Sequence, residues 1–234
     1  MLTPKKKISK REIKEDALLN AYTQATAFYY ENKKMISYAL TGLAVLVVAI
    51  VIFVNNRKAN NEKAQLEFAK VFTIYDAGAT DRRQYAAAIE GKPEQGIIGL
   101  KAIVDNYGST EAGETARFYL ANAHFNLAQY DDAMKYFDDF GGTDPLLRAS
   151  ASAGIAGCYE AKKEYGKAGA EFAKAAGVLA TNASAPEYLN SAARCYGLAG
   201  EKEKAVSLLK QLKKEYPASS FARDADRFIS QFSV

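Results

Sequence analysis

The chain has 234 residues, with 31 Lys and Arg against 27 Asp and Glu, one His, two Cys and no Trp. A hydrophobic share of 49% with 25% charged residues excludes a disordered polyelectrolyte, and two cysteines exclude a disulfide-stapled scaffold. The formal charge of +4 sits entirely in segment 1–34, which holds eight Lys/Arg and four acids, while segment 55–234 balances at 23 of each; that argues against a basic nucleic-acid-binding domain.

The basic segment 1–34 carries Ser9 followed by Glu12, a capping box, and Leu18, Tyr22, Ala25 and Tyr29 recur at helical spacing. Two readings remain open for this stripe: an amphipathic lead-in resting on lipid, or a partner-docking helix. Residues 35–54, Met35 to Val54, then form an uncharged, uninterrupted apolar run. At ~1.5 Å rise per residue a helix over this run is roughly 30 Å long, the thickness of a bilayer's hydrocarbon core. A secretory signal has roughly 7–15 apolar residues before a small-x-small site. Here the whole of segment 1–34 precedes the run, and the run exits into Asn55, Asn56, Arg57 and Lys58, so a retained transmembrane anchor is expected. The cations Lys5, Lys6, Lys7, Lys10, Arg11, Lys14, Lys33 and Lys34 place the N-terminus in the cytoplasm, with Arg57, Lys58 and Lys63 making the asymmetry moderate. Residues 55–63 read as a linker.

From residue 64 to 234 the chain repeats. The frame Leu120-Ala121-x-Ala123-His124, Tyr130, Ala133, Phe137, Pro145 returns as Ile155-Ala156-x-Cys158-Tyr159, Tyr165, Ala168, Phe172. It returns again as Ala192-Ala193-x-Cys195-Tyr196, Gly200, Ala205, Leu209, Pro217. A period of about 34 residues, with small residues where helices touch and bulky ones beside them, resembles the tetratricopeptide repeat. The fold class expected is therefore all-α: an amphipathic segment, one transmembrane helix, and a solenoid of about four helix pairs. In a worn first unit, Ala64 to Tyr75 supplies the first helix and Glu94 to Tyr107 the second. Ala79 to Lys92, which contains Asp81, Arg82 and Arg83, reads as a loop or irregular insertion. Position four of the pattern, often aromatic, is Arg117, Ser152 and Leu189, which leaves packing and curvature open. The closing segment, capped by Ser219 or Ser220, puts Phe221, Ala225, Phe228 and Phe232 on one face and Arg223, Asp224, Asp226, Arg227 and Gln231 on the other, as a terminal cap requires.

A nucleophile with its base, paired carboxylates, a metal constellation and a phosphate-cradling loop are all missing from the sequence, so no catalysis, cofactor or metal is expected. His124 takes the frame position of Tyr159 and Tyr196 and reads as a packed helix residue. Cys158 and Cys195 share one frame position in adjacent repeats, about 8–10 Å apart and beyond the ~7 Å Cα limit for a disulfide, so two buried thiols are expected. Asp131, Asp132, Asp138, Asp139 and Asp144, like Lys210, Lys213 and Lys214, read as solvated outer positions.

In the resembled family the inner surface of the superhelix binds peptide segments. The lining expected here is Phe118, Asn122, Phe125 and Asn126 from one repeat and Asn190, Arg194 and Leu198 from another. Ala153, Gly154 and Gly157 in the middle repeat break the Lys/Asn/Arg carboxylate clamp known in this fold. The order of tail, anchor and repeats, with Tyr107-Gly-Ser-Thr leading into Ala116-Arg117-Phe118-Tyr119-Leu120-Ala121, resembles bacterial single-pass inner-membrane repeat proteins akin to the ancillary subunit of the Sec translocon. That resemblance implies a periplasm-facing adaptor whose partners are translocon subunits and periplasmic chaperones. A structural subunit of another membrane complex, an import receptor of reversed topology and an enzyme are the rival readings.

Overall fold

The computed structural model describes residues 10–178 and 183–232. The described chain is helical apart from one small hairpin, and it divides into two compact units, Met1–Asn56 and Arg57–Val234.

Helix α1 (Lys10–Ala77) contributes to both. In the first unit the apolar run is exposed except at the half-buried Ile36, with Met35 at 59% and Phe53 at 67%. Among the described residues α1 is the helix long and apolar enough to cross a membrane. Its threonines bond within their own helix: Thr41 Oγ1 donates to the Ser37 carbonyl at 2.9 Å, and Thr23 and Thr26 do likewise one turn back. The Ser9 capping box and the Leu18 side chain lie outside the described residues; of the same stripe, Tyr22 is 69% and Tyr29 46% exposed.

Residues 55–63 are helical rather than a linker, since Asn55 to Lys63 contains neither Gly nor Pro to break the turn begun by the apolar run. Asn61 belongs to the packing of the second unit: its Oδ1 accepts from the Ala112 N–H at 2.9 Å.

The second unit is a series of antiparallel helix pairs. The last part of α1 is followed by α2 (Arg83–Glu90), a two-stranded hairpin β1 (Gly91–Lys92) and β2 (Ile97–Ile98) around a 3-10 turn, and α3 (Leu100–Tyr107). Then come the pairs α4 (Glu111–Asn126) with α5 (Tyr130–Asp138), α6 (Pro145–Ala161) with α7 (Tyr165–Gly177), and α8 (Ala185–Leu198) with α9 (Lys202–Glu215), closed by α10 (Ser220–Phe232). Two expectations are corrected in the first unit of the repeat. The stretch 79–92 is an insertion rather than a loop throughout, since it holds α2: Asp81 Oδ1 accepts from the Arg83 N–H at 3.1 Å, and Tyr85, Ala88 and Ile89 bury one helical face. The second helix starts at Leu100, not Glu94, because Pro93 opens a separate turn and Gly96 closes it in the left-handed region at φ 67°. Gly91 then pairs antiparallel with Ile98.

Side chains cap the starts of α4, α6 and α10. The Thr110 hydroxyl accepts from the Gly113 N–H at 3.1 Å. Asp144 Oδ1 accepts from the Leu146 N–H at 2.7 Å, and Pro145 occupies the first turn that follows, where its missing N–H costs nothing. Ser219 Oγ accepts from the Phe221 N–H at 3.2 Å at the entry to α10. At position four, Leu189 and Ser152 are buried, and Arg117 spans from Glu114 to the Asp139 carbonyl.

The turn inside each pair is the same. Gln129, Glu164 and Glu201 donate backbone N–H to His124, Tyr159 and Tyr196 carbonyls at 2.9, 2.8 and 2.9 Å. The residue before each, Ala128, Lys163 and Gly200, takes positive φ of 62°, 63° and 80°. Only the last is glycine, so two repeats carry left-handed strain of about 1–2 kcal/mol. Lys163 is exposed. Lys163→Gly is expected to raise stability by about 0.5–1 kcal/mol after glycine's own entropy cost, read as a higher urea midpoint.

Candidate protein-binding face

Phe118, Asn122, Phe125 and Asn126 stand at i, i+4, i+7 and i+8 on α4 and so share a face. Both rings turn partly into the core. Phe118 meets Phe137 and Phe140 at 5.9 Å each, and Phe125 meets Tyr130 at 5.7 Å. The amides bond along their own helix, Asn122 Nδ2 to the Phe118 carbonyl at 2.8 Å and Asn126 Nδ2 to the Asn122 carbonyl at 2.9 Å. The Asn126 carbonyl also accepts from Arg82, which ties the insertion to the end of α4.

On α8, Asn190 and Arg194 line a small crevice with Ala193, Leu209, Phe228 and Phe232, while Leu198 stands 57% exposed at the helix end. The structure thus brings Asn190 and Arg194 together and holds the α4 set as a separate stripe. Sequence reading missed the partner of Arg194. Its guanidinium grips Glu160 of α6 in a two-pronged pair at 2.7 and 2.8 Å, and the Cys195 thiol lies 3.7 Å from the same carboxylate. The available signal was an opposite charge one repeat period upstream.

A rule joins successive repeats across this face. The frame position held by Phe125, Glu160 and Gly197 meets the next helix each time. The Phe125 ring comes within 3.2 Å of where a Cβ on Gly157 would stand, Glu160 pairs with Arg194, and Gly197 leaves the space that Phe232 of α10 fills. Ring over glycine, charge against charge and glycine under ring are three solutions to one close approach.

Hydrogen bonds from Arg194 hold the Glu160 carboxyl below its ordinary pKa, against the opposing effect of partial burial. A depressed folded pKa contributes stability that is present above the unfolded value and is lost as pH falls through the folded one. Glu160→Gln is expected to cost on the order of 1 kcal/mol at pH 7, because the pair is partly exposed. It should also flatten the loss of stability in acid, checked by urea unfolding across that pH range.

Burial pushes the Cys158 thiol up to about 12 and the Cys195 thiol up to about 11. Both are free and fully buried, as their shared frame position led us to expect. Neither should react with a thiol-alkylating reagent at about pH 8 in the native protein, and both should react in denaturant, as intact-mass measurement would show. His124 is packed as expected, with Nδ1 2.7 Å from Gln129 Oε1 and its ring stacked on Tyr136.

The acids are partly structural. Asp131 pairs with Lys162 of the next repeat at 2.6 Å, and Asp144 caps α6. A cleft of about 590 Å³ opens between the starts of α4 and α6, with Phe140 and Leu147 among its apolar walls and Arg57, Glu111, Glu114 and Thr115 among its polar ones. Among the described residues no cluster of three or more His, Cys, Asp or Glu is arranged to hold a metal.

The tetratricopeptide-repeat family model matches residues 115–145 and 191–219, that is α4 with α5 and most of α8 with α9. The solenoid is tetratricopeptide-like in fold, and two of its units match the repeat family in sequence. Two crystal structures of a Podosopora anserina protein, described as a putative kinesin light chain with nearly identical TPR-like repeats, are similar in fold. They are 14% identical, with TM-scores of 0.51 and 0.52, and the match covers 70% of this chain and 84% and 85% of theirs. At that identity the likeness is one of fold alone. No curated protein matches the chain in sequence. Tetratricopeptide repeats in general serve as scaffolds for protein–protein interaction, because their frame residues carry packing and leave broad surfaces free.

Proposed function

We propose that this protein is a non-enzymatic, membrane-anchored scaffold that holds protein partners on its tetratricopeptide repeats. The observation that carries the reading is the coupling, in one chain, of an exposed apolar helix long enough to span a bilayer with a repeat solenoid. Residues 35–54 are the contact with membrane lipid. The basic leading segment supports a cytoplasmic N-terminus, with the repeats on the far side, in the periplasm, of a bacterial inner membrane.

On this reading the partners are chains in envelope protein traffic, translocon subunits and periplasmic chaperones, as the order of tail, anchor and repeats supports. The face across α4, α6 and α8 takes mixed apolar and polar segments. It does not take a terminal carboxylate through Arg194, whose guanidinium is already paired with the Glu160 carboxylate through two hydrogen bonds. The test is crosslinking in cells, purification from native membranes in mild detergent through a C-terminal tag, and mass spectrometry. Translocon subunits together with periplasmic chaperones support the reading. A different, stoichiometric complex without translocon peptides overturns it and makes the protein a structural subunit of that complex.

A further inference from the structure

The helix turns preceding the apolar run carry a concentration of exposed donors that neither the repeats nor the anchor explains. Tyr29 and Tyr30 are 46% and 75% exposed, their rings edge-on at 5.6 Å. Lys33 and Lys34 are exposed and have no ion-pair partner among the described residues. At about 100° per residue these four side chains fall within one arc of roughly 140°; Glu31, the nearest acid, stands about 60° beyond Lys34 and forms no ion pair among the described residues. The hydroxyls of Thr23 and Thr26, on the same side of the helix, are spent on backbone carbonyls, and Asn32 Nδ2 donates to the Phe28 carbonyl at 3.0 Å.

Position along the axis names the ligand. These residues lie one to six places before Met35, within about 9 Å of the start of the apolar run. The polar layer of a bilayer leaf is about 5–8 Å deep. Two ammonium groups and two phenol hydroxyls, on one side of the helix at that depth with no carboxylate inside their arc, match the phosphate of a lipid.

We propose that Tyr29, Tyr30, Lys33 and Lys34 form a headgroup site that takes the phosphate of an anionic phospholipid. The site rests on the reading of residues 35–54 as a membrane anchor. The lysines supply charge, and the tyrosines supply hydrogen bonds while their rings sit at the edge of the hydrocarbon. The ligand is a lipid rather than a soluble anion because the donors adjoin the apolar run, where a phosphate linked to acyl chains gains both contacts at once.

The test uses the full chain reconstituted in nanodiscs of mixed phosphatidylglycerol and phosphatidylcholine, with native mass spectrometry counting the lipids retained on release into mild detergent. The protein should retain phosphatidylglycerol in preference. Lys33→Gln with Lys34→Gln should reduce that preference by about five-fold per lysine. Tyr29→Phe with Tyr30→Phe, which keeps the rings, should reduce it several-fold. Equal retention of the two lipids by the native chain, or an unchanged preference in the lysine variant, overturns the proposal. So does displacement of the bound lipid by excess inorganic phosphate, which would assign the site to a soluble anion.

The anchor is read separately. The chain has no Trp, so Leu46→Trp introduces a unique fluorophore whose quenching by brominated acyl chains reports insertion of the apolar run. Quenching with no effect of the lysine changes removes only the headgroup site, whereas absence of quenching removes the anchor and the site together.

Discussion

Phe137→Ala is expected to destabilise the repeat domain by about 3–5 kcal/mol. That is a large part of the ~5–15 kcal/mol that holds a typical domain folded, so the midpoint of urea unfolding should fall steeply. Phe137 is 3% exposed and lies in the cluster that joins α4, α5 and α6 with Ala121, Ala133, Ala151 and Cys158. Its ring occupies space that Gly154 of the next repeat leaves empty: a Cβ there would stand 2.4 Å from the ring's Cζ. Gly154→Ala should accordingly cost about 1–3 kcal/mol in the native protein by overpacking. In the Phe137→Ala background the added methyl enters a cavity, so the two changes together should cost less than their sum. The double-mutant cycle measures that difference, and simple additivity would show that the two repeats do not meet through this pair.

Gly113→Ala should be nearly as damaging, for a backbone reason. A Cβ on Gly113 would lie 1.9 Å from the Tyr107 carbonyl oxygen and 2.9 Å from Gly108 Cα. No rotamer change relieves a clash with main chain, so the start of α4 must move away from the end of α3. That motion disturbs the Thr110 cap, whose side chain accepts from Gly113 N–H, and the Asn61 contact to the Ala112 N–H. A loss of about 3 kcal/mol or more is expected, at the upper end of overpacking costs. Gly177→Ala is the control. Nothing lies within 4 Å of its added methyl, and it should be neutral or stabilising by up to about 1 kcal/mol. If both substitutions are tolerated equally, the close approach of α4 to α3 is not a feature of the folded chain.

The repeat frame was legible because its residues perform the same packing at each recurrence. Ala121, Ala156 and Ala193 are buried where helices touch, and His124, Tyr159 and Tyr196 occupy the equivalent place near each turn. The terminal cap was legible for a similar reason: Ala225 is buried, Phe221, Phe228 and Phe232 pack against the last cluster, and Arg223, Asp224, Asp226, Arg227 and Gln231 are exposed. What escaped was aperiodic. Helix α2 begins inside Asp81-Arg82-Arg83, which reads as a polar break although Asp81 accepts from the Arg83 N–H, and its buried face spans only Tyr85, Ala88 and Ile89.

The geometry of the candidate face was half legible. Spacing placed Phe118, Asn122, Phe125 and Asn126 on one stripe, yet spacing along one helix is silent on how far a ring leans toward the next. Phe118 and Phe125 lean inward because Phe140, Tyr130 and Gly157 receive them. Arg194 looked free for a ligand because its partner sits in another repeat.

By itself the sequence determined the apolar run and its basic flank, the period of the repeats and the burial of the two thiols. Each of these is a property of residue type at a local or periodic spacing, and hydrophobic burial and helix geometry act on such spacing directly. Only the tertiary structure decided the folding of 79–99 into α2 and the hairpin, the pairing of Glu160 with Arg194, and the fit of Phe137 over Gly154. These depend on contacts between residues far apart in sequence. Their energies come from shape and charge brought within a few ångströms, which no one-dimensional pattern records.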